Sequence, residues 1–179
     1  MRRICPSICI DDIFLINYLS LWKQDYRLLV FDIDHTLLPC GLRRLSVRAR
    51  RKLRELHEMG FQIAFLTNTV VPWRQKRARE IAASAKIRSI VLVCCNGFHC
   101  KPRRWGFDEV CGVSGISPNK AVMIGDMLWR DIEGAQKAGY GCTILVRPHG
   151  PDNIFIRRCR RKELEIKNWL KEIGLLRSW

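Results

Sequence analysis

The sequence predicts an α/β protein, with about five parallel strands and helices on both faces of the sheet. Three observations carry that expectation. Short apolar runs alternate with stretches of helical spacing between residues 27 and 146. The runs are nearly continuous in apolar residues, as in strands covered on both faces. Polar residues suited to chemistry follow four of them, at the strand ends where open α/β sheets place their ligands.

Residues 1–26 form a lead-in. Within it, 13–22 is apolar nearly all round, which suits a short helix packed on the core or one lying on a membrane surface. The first strand is expected over 27–32, where Leu28-Leu29-Val30-Phe31 runs into Asp32. Leu45, Ala49, Leu53 and Leu56 then recur at helical spacing. Arg48, Arg50, Arg51, Lys52 and Arg54 take the opposite face, and Gly60 stands where a helix ends. A second strand over 61–66 runs into Thr67-Asn68-Thr69, and Pro72 suits the first turn of a helix reaching about Ala85. A third strand over 89–93 leads to a loop that contains Lys101-Pro102. A helix before Pro118, a fourth strand over 121–124 and a helix over 129–138 closed by Gly139 come next. The fifth strand covers 142–146. A basic cluster over 157–162 precedes a final helix with Leu164, Trp169, Leu170 and Ile173 as its apolar contacts.

A length of 179 residues suits one compact domain. Its parts would be the lead-in, a core over 27–150 and a basic C-terminal helix over 151–179 packed on that core. The net charge of +15 favours partners that carry negative charge: nucleic acid, anionic lipid or phosphorylated substrates. The nine cysteines include no Cys-x-x-Cys pair. Cys94, Cys95, His99 and Cys100 crowd together without a distant partner pair, so buried thiols in a reducing compartment are expected rather than a zinc site. No apolar run reaches membrane-spanning length. Met1-Arg2-Arg3 begins like a signal peptide, but Asp11-Asp12 interrupts the apolar stretch. The expected location is cytoplasmic, with peripheral attachment to a membrane as a variant, or mitochondrial if the source is eukaryotic.

The chemistry gathers at strand ends. Asp32 and Asp34, one residue apart, would point the same way if the strand continued. Thr67 and Asn68, then Lys101, then Asp126 and Asp131 follow the next three strands. Each has a plain structural explanation alone: a solvated acidic turn, a helix cap, a loop lysine, a charge in a first helical turn. In a parallel sheet all four would converge on one edge. Carboxylates, a hydroxyl and an ammonium in one place suit phosphoryl transfer, where catalysis is mostly positioning and charge stabilisation. Hard oxygen ligands point to Mg²⁺, and a carboxylate can serve as nucleophile through an aspartyl-phosphate.

Asp32-Ile33-Asp34-His35-Thr36-Leu37, Thr67-Asn68, Lys101-Pro102 and Gly125-Asp126 with Asp131 resemble, in order, the four motifs of the haloacid dehalogenase superfamily. The resemblance spans about residues 28–131. It implies a Rossmann-like core with Asp32 as nucleophile and Asp34 as general acid/base. Thr67 and Asn68 would meet the phosphoryl group, and Lys101 would neutralise it. Mg²⁺ would be held by Asp32, Asp34 through its backbone carbonyl, and Asp126, with Asp131 supporting the site. A narrower resemblance adds Ile10-Asp11-Asp12-Ile13 and Thr143-Ile144-Leu145-Val146 with Pro148. Together these are similar to the subclass IIIA branch that includes phosphatidylglycerophosphate phosphatases. His35 stands where that branch usually has Asn, and is read as a residue that orders its loop.

One helix and one strand fill the chain between the first two motifs, and again between the second and third, which leaves no room for a cap domain. An open site suits a large substrate, such as a lipid head group in a bilayer, a nucleic-acid end or a phosphoprotein. The leading expectation is a Mg²⁺-dependent phosphomonoesterase acting on phosphatidylglycerophosphate. The alternatives are a phosphatase of nucleic-acid ends or soluble phosphometabolites, and a non-catalytic module that binds RNA or membrane through its basic faces.

Overall fold

Six strands form the sheet, one more than the sequence predicts. They are β1 (Ile8–Ile10), β2 (Leu28–Phe31), β3 (Gln62–Asn68), β4 (Val91–Cys95), β5 (Ala121–Gly125) and β6 (Cys142–Val146). The structure is a computed structural model that describes residues 4–152 and 154–176. All strand pairs are parallel, in the order β1-β6-β5-β2-β3-β4. The extra strand comes from the lead-in. Its three residues are too few to show a strand period, and it pairs with the last strand of the sheet.

The helices are α1 (Tyr18–Lys23), α2 (Val47–Glu58), α3 (Pro72–Ser84), α4 (Trp105–Ser114), α5 (Glu133–Ala138), α6 (Ile154–Arg161) and α7 (Leu164–Glu172). The apolar lead-in divides into a short 3-10 turn, Ile13–Leu15, and α1. Ser46 caps α2, its Oγ accepting from the Ala49 amide at 3.0 Å. Pro72 opens α3 and Gly139 closes α5 in the left-handed conformation, at φ 83°. The predicted helix over 129–138 begins as a wide turn, Leu128–Ile132, before α5. The single C-terminal helix is two, α6 and α7.

Alternation along the strands sends side chains to two cores. Leu29, Phe31, Ile63, Phe65 and Ile124 pack against α2 and α3. Leu28, Val30, Ala64, Leu66 and Met123 pack against Phe107 and Val110 of α4 and Ala135 and Ala138 of α5. The strand β2 is buried along its whole length, as its unbroken apolar run requires. A third, smaller core joins Leu128, Ile132 and Leu145 to Leu170 of α7. Only α2 lies between β2 and β3, and only α3 between β3 and β4, so no helical or sheet insertion covers the strand ends.

The chain runs from β2 outward to β4, then crosses to β5 on the other side of β2. The switch point therefore lies between β2 and β5. Ligand crevices of open α/β sheets form there, beyond the carboxyl ends of the strands.

Candidate active site

Two adjacent strands bring the central acids together. The main chain of β2 continues into Asp32, whose amide donates to the Ile124 carbonyl at 3.0 Å. Asp126 follows β5 directly. Asp131 lies on the wide turn after it, and the Met127 amide donates to its Oδ2 at 3.1 Å. One ligand atom from each of Asp32, Asp126 and Asp131 falls within 4.8 Å of the other two, and all three residues are buried.

Lys101 reaches into this triad from the loop after β4. Its Nζ donates to Asp32 Oδ1 at 2.6 Å, to Asp131 Oδ1 at 2.6 Å and to the Leu66 carbonyl at 2.9 Å. The loop is fixed by Asn68, whose Oδ1 accepts from the Lys101 amide at 2.8 Å while its Nδ2 donates to the Lys101 carbonyl at 3.3 Å. Asn68 thus places the lysine backbone. Thr67 is buried and lines the cleft.

The first motif separates its two acids. Strand β2 ends at Phe31, so the alternation expected of Asp32 and Asp34 does not continue. His35 takes a positive φ of 63°, and Asp34 bridges back to Leu38. Both Asp34 oxygens accept from Arg77 of α3, at 2.7 and 3.1 Å. The Arg77 Nε donates to the Leu42 carbonyl at 2.8 Å, which holds the fork in place. His35 orders the loop from the other side. Its Nδ1 lies 2.8 Å from the His149 carbonyl, and the His149 amide donates to the His35 carbonyl at 2.7 Å.

The electrostatics follow from burial. Burial pushes the Asp32 carboxyl well up; Lys101 opposes this, while Asp131 and Asp126 add to it. Burial also raises Asp126, with Arg160 opposing and Asp131 adding. Burial alone would push the Lys101 ammonium toward neutrality, but Asp131 and Asp32 raise it above the ordinary lysine range. Two cations face the three acids: the Lys101 ammonium on Asp32 and Asp131, and the Arg160 guanidinium on Asp126. The donor set is all oxygen. Such a donor set suits a hard divalent cation, which Asp32, Asp126 and Asp131 could hold.

These groups line a cleft of about 230 Å³, which Asp34, His35 and Thr67 share. Sequence reasoning missed three charged neighbours. Arg77 lies among the other cations of α3, and its burial and its contacts with Asp34 and Leu42 mark it. Arg160 and Asp152 lie in the C-terminal part, where Arg160 donates to the Asp126 carboxylate and its Nε lies 2.8 Å from Asp152 Oδ2. Nothing local in the sequence sets Arg160 apart from the arginines beside it.

A parallel sheet with a buried acid triad and a lysine at its switch point defines a class before it defines a protein. The family profile of haloacid dehalogenase-like hydrolases matches residues 41–139. The chain belongs to that family, and it is an enzyme, a hydrolase. The matched span begins after Asp32 and Asp34 and includes Thr67, Asn68, Lys101, Asp126 and Asp131. Among curated relatives, probable phosphatase YqeG of Bacillus subtilis (strain 168) is 25% identical over 170 residues, 94% of this chain and 92% of its own length. Glyceraldehyde 3-phosphate phosphatase of Methanopyrus kandleri is 28% identical over 116 residues, 65% of this chain and 45% of its own. The fold is shared with a Thermotoga maritima structure to which a beta-phosphoglucomutase activity is ascribed. The TM-score is 0.55 at 15% identity, covering 82% of this chain and 99% of that one. A Listeria monocytogenes structure matches with a TM-score of 0.52 at 17% identity, over 79% and 99% of the two chains.

Proposed function

We propose that this hydrolase is a Mg²⁺-dependent phosphomonoesterase that works through an aspartyl-phosphate on Asp32. The observation that carries the reading is the convergence of Asp32, Asp126 and Asp131 in one open cleft, with the Lys101 ammonium on Asp32 and Asp131. The phosphatase names of the two curated relatives support it.

Asp32 attacks the phosphorus, and the ester P–O bond breaks as Asp34 gives its proton to the leaving oxygen. Water then attacks the aspartyl-phosphate. Asp34 takes a proton from it, the Asp32 oxygen leaves phosphorus, and inorganic phosphate departs. For this work the Arg77 fork must open enough to free one Asp34 oxygen toward the cleft that Asp34 already lines. Thr67 binds the phosphoryl group, Lys101 neutralises its charge, and Asn68 acts by holding the lysine loop. Bound Mg²⁺ would supply positive charge to the phosphoryl oxygens, held by Asp32, Asp126 and Asp131, with the Asp34 backbone carbonyl as a further ligand.

The substrate we favour is phosphatidylglycerophosphate. The subclass IIIA resemblance supports it, as do the uncovered cleft and the exposed Arg157, Arg158, Arg161 and Lys162 beside it. Near an anionic membrane each such cation contributes about 1 kcal/mol, which would hold the enzyme at the surface peripherally. No helix among the described residues is long and apolar enough to cross a membrane.

The test is phosphate release from phosphatidylglycerophosphate in mixed micelles, with Mg²⁺ or with chelator. Asp32→Asn is expected to abolish release and to leave the circular dichroism spectrum unchanged. Release from a generic aryl phosphate but not from the lipid would keep the enzyme and redirect the substrate to nucleic-acid ends or soluble phosphometabolites. Turnover retained in Asp32→Asn would refute the nucleophile.

A further inference from the structure

Arg160 comes from α6, beyond the last strand of the chain, yet it reaches Asp126. Only 11% of its side chain is exposed. Its Nη2 donates to Asp126 Oδ2, and its Nη1 donates to the Asp126 main-chain oxygen at 3.1 Å. Thr36 Oγ1 donates to the other carboxylate oxygen, Oδ1, at 3.3 Å. Both Asp126 oxygens therefore have donors already, and one donor is a cation.

That guanidinium lies on a carboxylate of the acid triad. A divalent ion among Asp32, Asp126 and Asp131 would meet a like charge on one of its ligand carboxylates, and a fixed positive charge so close lowers its affinity. Arg160 also has another partner, because its Nε lies 2.8 Å from Asp152 Oδ2. Leaving Asp126 would not leave the guanidinium without a counter-charge. Elsewhere α6 meets the fold through half-buried Ile156, which lines the cleft, and through Cys159, whose Sγ accepts from Arg130 Nη2 at 3.6 Å. Ile154 is 86% exposed, and Arg157, Arg158 and Arg161 are exposed too. The neighbouring α7 is anchored separately, through buried Leu170 and through Glu163, whose Oε1 accepts from the Trp129 amide at 3.0 Å.

We propose that Arg160 is an internal counter-ion for Asp126 that a divalent cation displaces, so that docking of α6 and cation binding oppose each other. The inference rests on the reading of Asp126 as a cation ligand. Linkage makes the effect reciprocal: whatever α6 costs the cation, the cation costs α6. Asp126 is then shared between two partners, Arg160 with α6 docked and the cation with α6 released.

Isothermal titration of Mg²⁺ into wild type, Arg160→Gln and Asp126→Asn tests this, together with hydrogen exchange of wild type in Mg²⁺ and in chelator. Arg160→Gln should bind Mg²⁺ about tenfold or more tightly than wild type, since one close positive charge is gone. Asp126→Asn should lose binding. In wild type, α6 amides should exchange faster with Mg²⁺ while those of α7 do not change. The exchange arm needs no variant, so it stands even if Arg160→Gln folds poorly. Equal or weaker binding by a folded Arg160→Gln, or α6 amides no faster in Mg²⁺, overturns the proposal. Absence of Mg²⁺ binding by both wild type and Arg160→Gln overturns the cation site itself, a different result from equal binding.

Discussion

Gly125 ends β5 without a side chain, and Asp131 uses the space. A Cβ there would lie 2.5 Å from the Asp131 Cβ and 2.6 Å from its Oδ2. Strand and acid can approach this closely only with glycine at this position. Gly125→Ala should therefore push Asp131 away from Lys101. Overpacking of this kind destabilises by about 1–3 kcal/mol, to be read by urea unfolding, and phosphate release should fall well beyond what the stability loss explains. Unchanged turnover in a folded Gly125→Ala would mean that the placement of Asp131 is not needed. At this scale the sequence was legible where short motifs hold the chemistry: Asp32, Thr67, Lys101, Asp126 and Asp131 all line one cleft. It was silent where a role depends on which of several similar residues turns inward. Arg77 shares α3 with Arg74, Lys76 and Arg79 and is the buried one. Arg160 stands in a run of cations that reads as a solvated face. The partner of Asp34 is 43 residues away and that of Asp126 is 34 away, so no local pattern marks either pair.

Among elements, α7 begins at a buried acid. Glu163 is wholly buried at the head of the helix, accepting from the Trp129 amide and pairing with Lys167 at 3.4 Å. Burial raises its carboxyl above the ordinary range; Lys167, the Trp129 amide and Arg160 oppose that only in part. The folded protein keeps this proton to a higher pH than the unfolded chain. Its stabilising effect is full below the ordinary glutamate value and is lost as pH rises through the raised one. Glu163→Gln keeps an acceptor for Trp129 and removes the titration. Its melting temperature relative to wild type should climb as pH rises above the ordinary glutamate value, measured by thermal denaturation at a series of pH values. A constant difference would mean that Glu163 titrates alike in both states. The elements the sequence displayed best were those with strong internal period or a full apolar run, such as α2, β5 and β6. Boundaries moved where tertiary pairing decides them. Strand β3 extends to Asn68 and β4 to Cys95 because each pairs with the other to those residues. The break between α6 and α7 was not legible, since the buried Glu163 that marks it looks polar and exposed in sequence.

At the scale of the molecule, the sheet is strongest at its middle. The strands β6, β5, β2 and β3 have a partner on each side, whereas β1 and β4 are edges. Native-state hydrogen exchange should be slowest over Leu28–Phe31 and its two neighbours, and β1 should open in a separate, easier step. Equal protection of β1 and β2 would show the sheet opening as one unit. The lead-in strand escaped the sequence because three residues, flanked by Ser7 and Asp11, carry no period, and their partner β6 lies 136 residues further along the chain. That pairing has a consequence for how the chain is made. Ser7 bonds to Thr143 across 136 residues, and Ile8 faces Ile144 beside it. A ribosome adding roughly 5–20 residues per second needs about 7–27 s to cover that distance. For that time the earliest strand has no ladder to join, while β2, α2 and β3 already have each other. Synthesis therefore runs from one edge of the sheet, but assembly starts near its centre. Of these six strands, the first to leave the ribosome is among the last to be fixed in place.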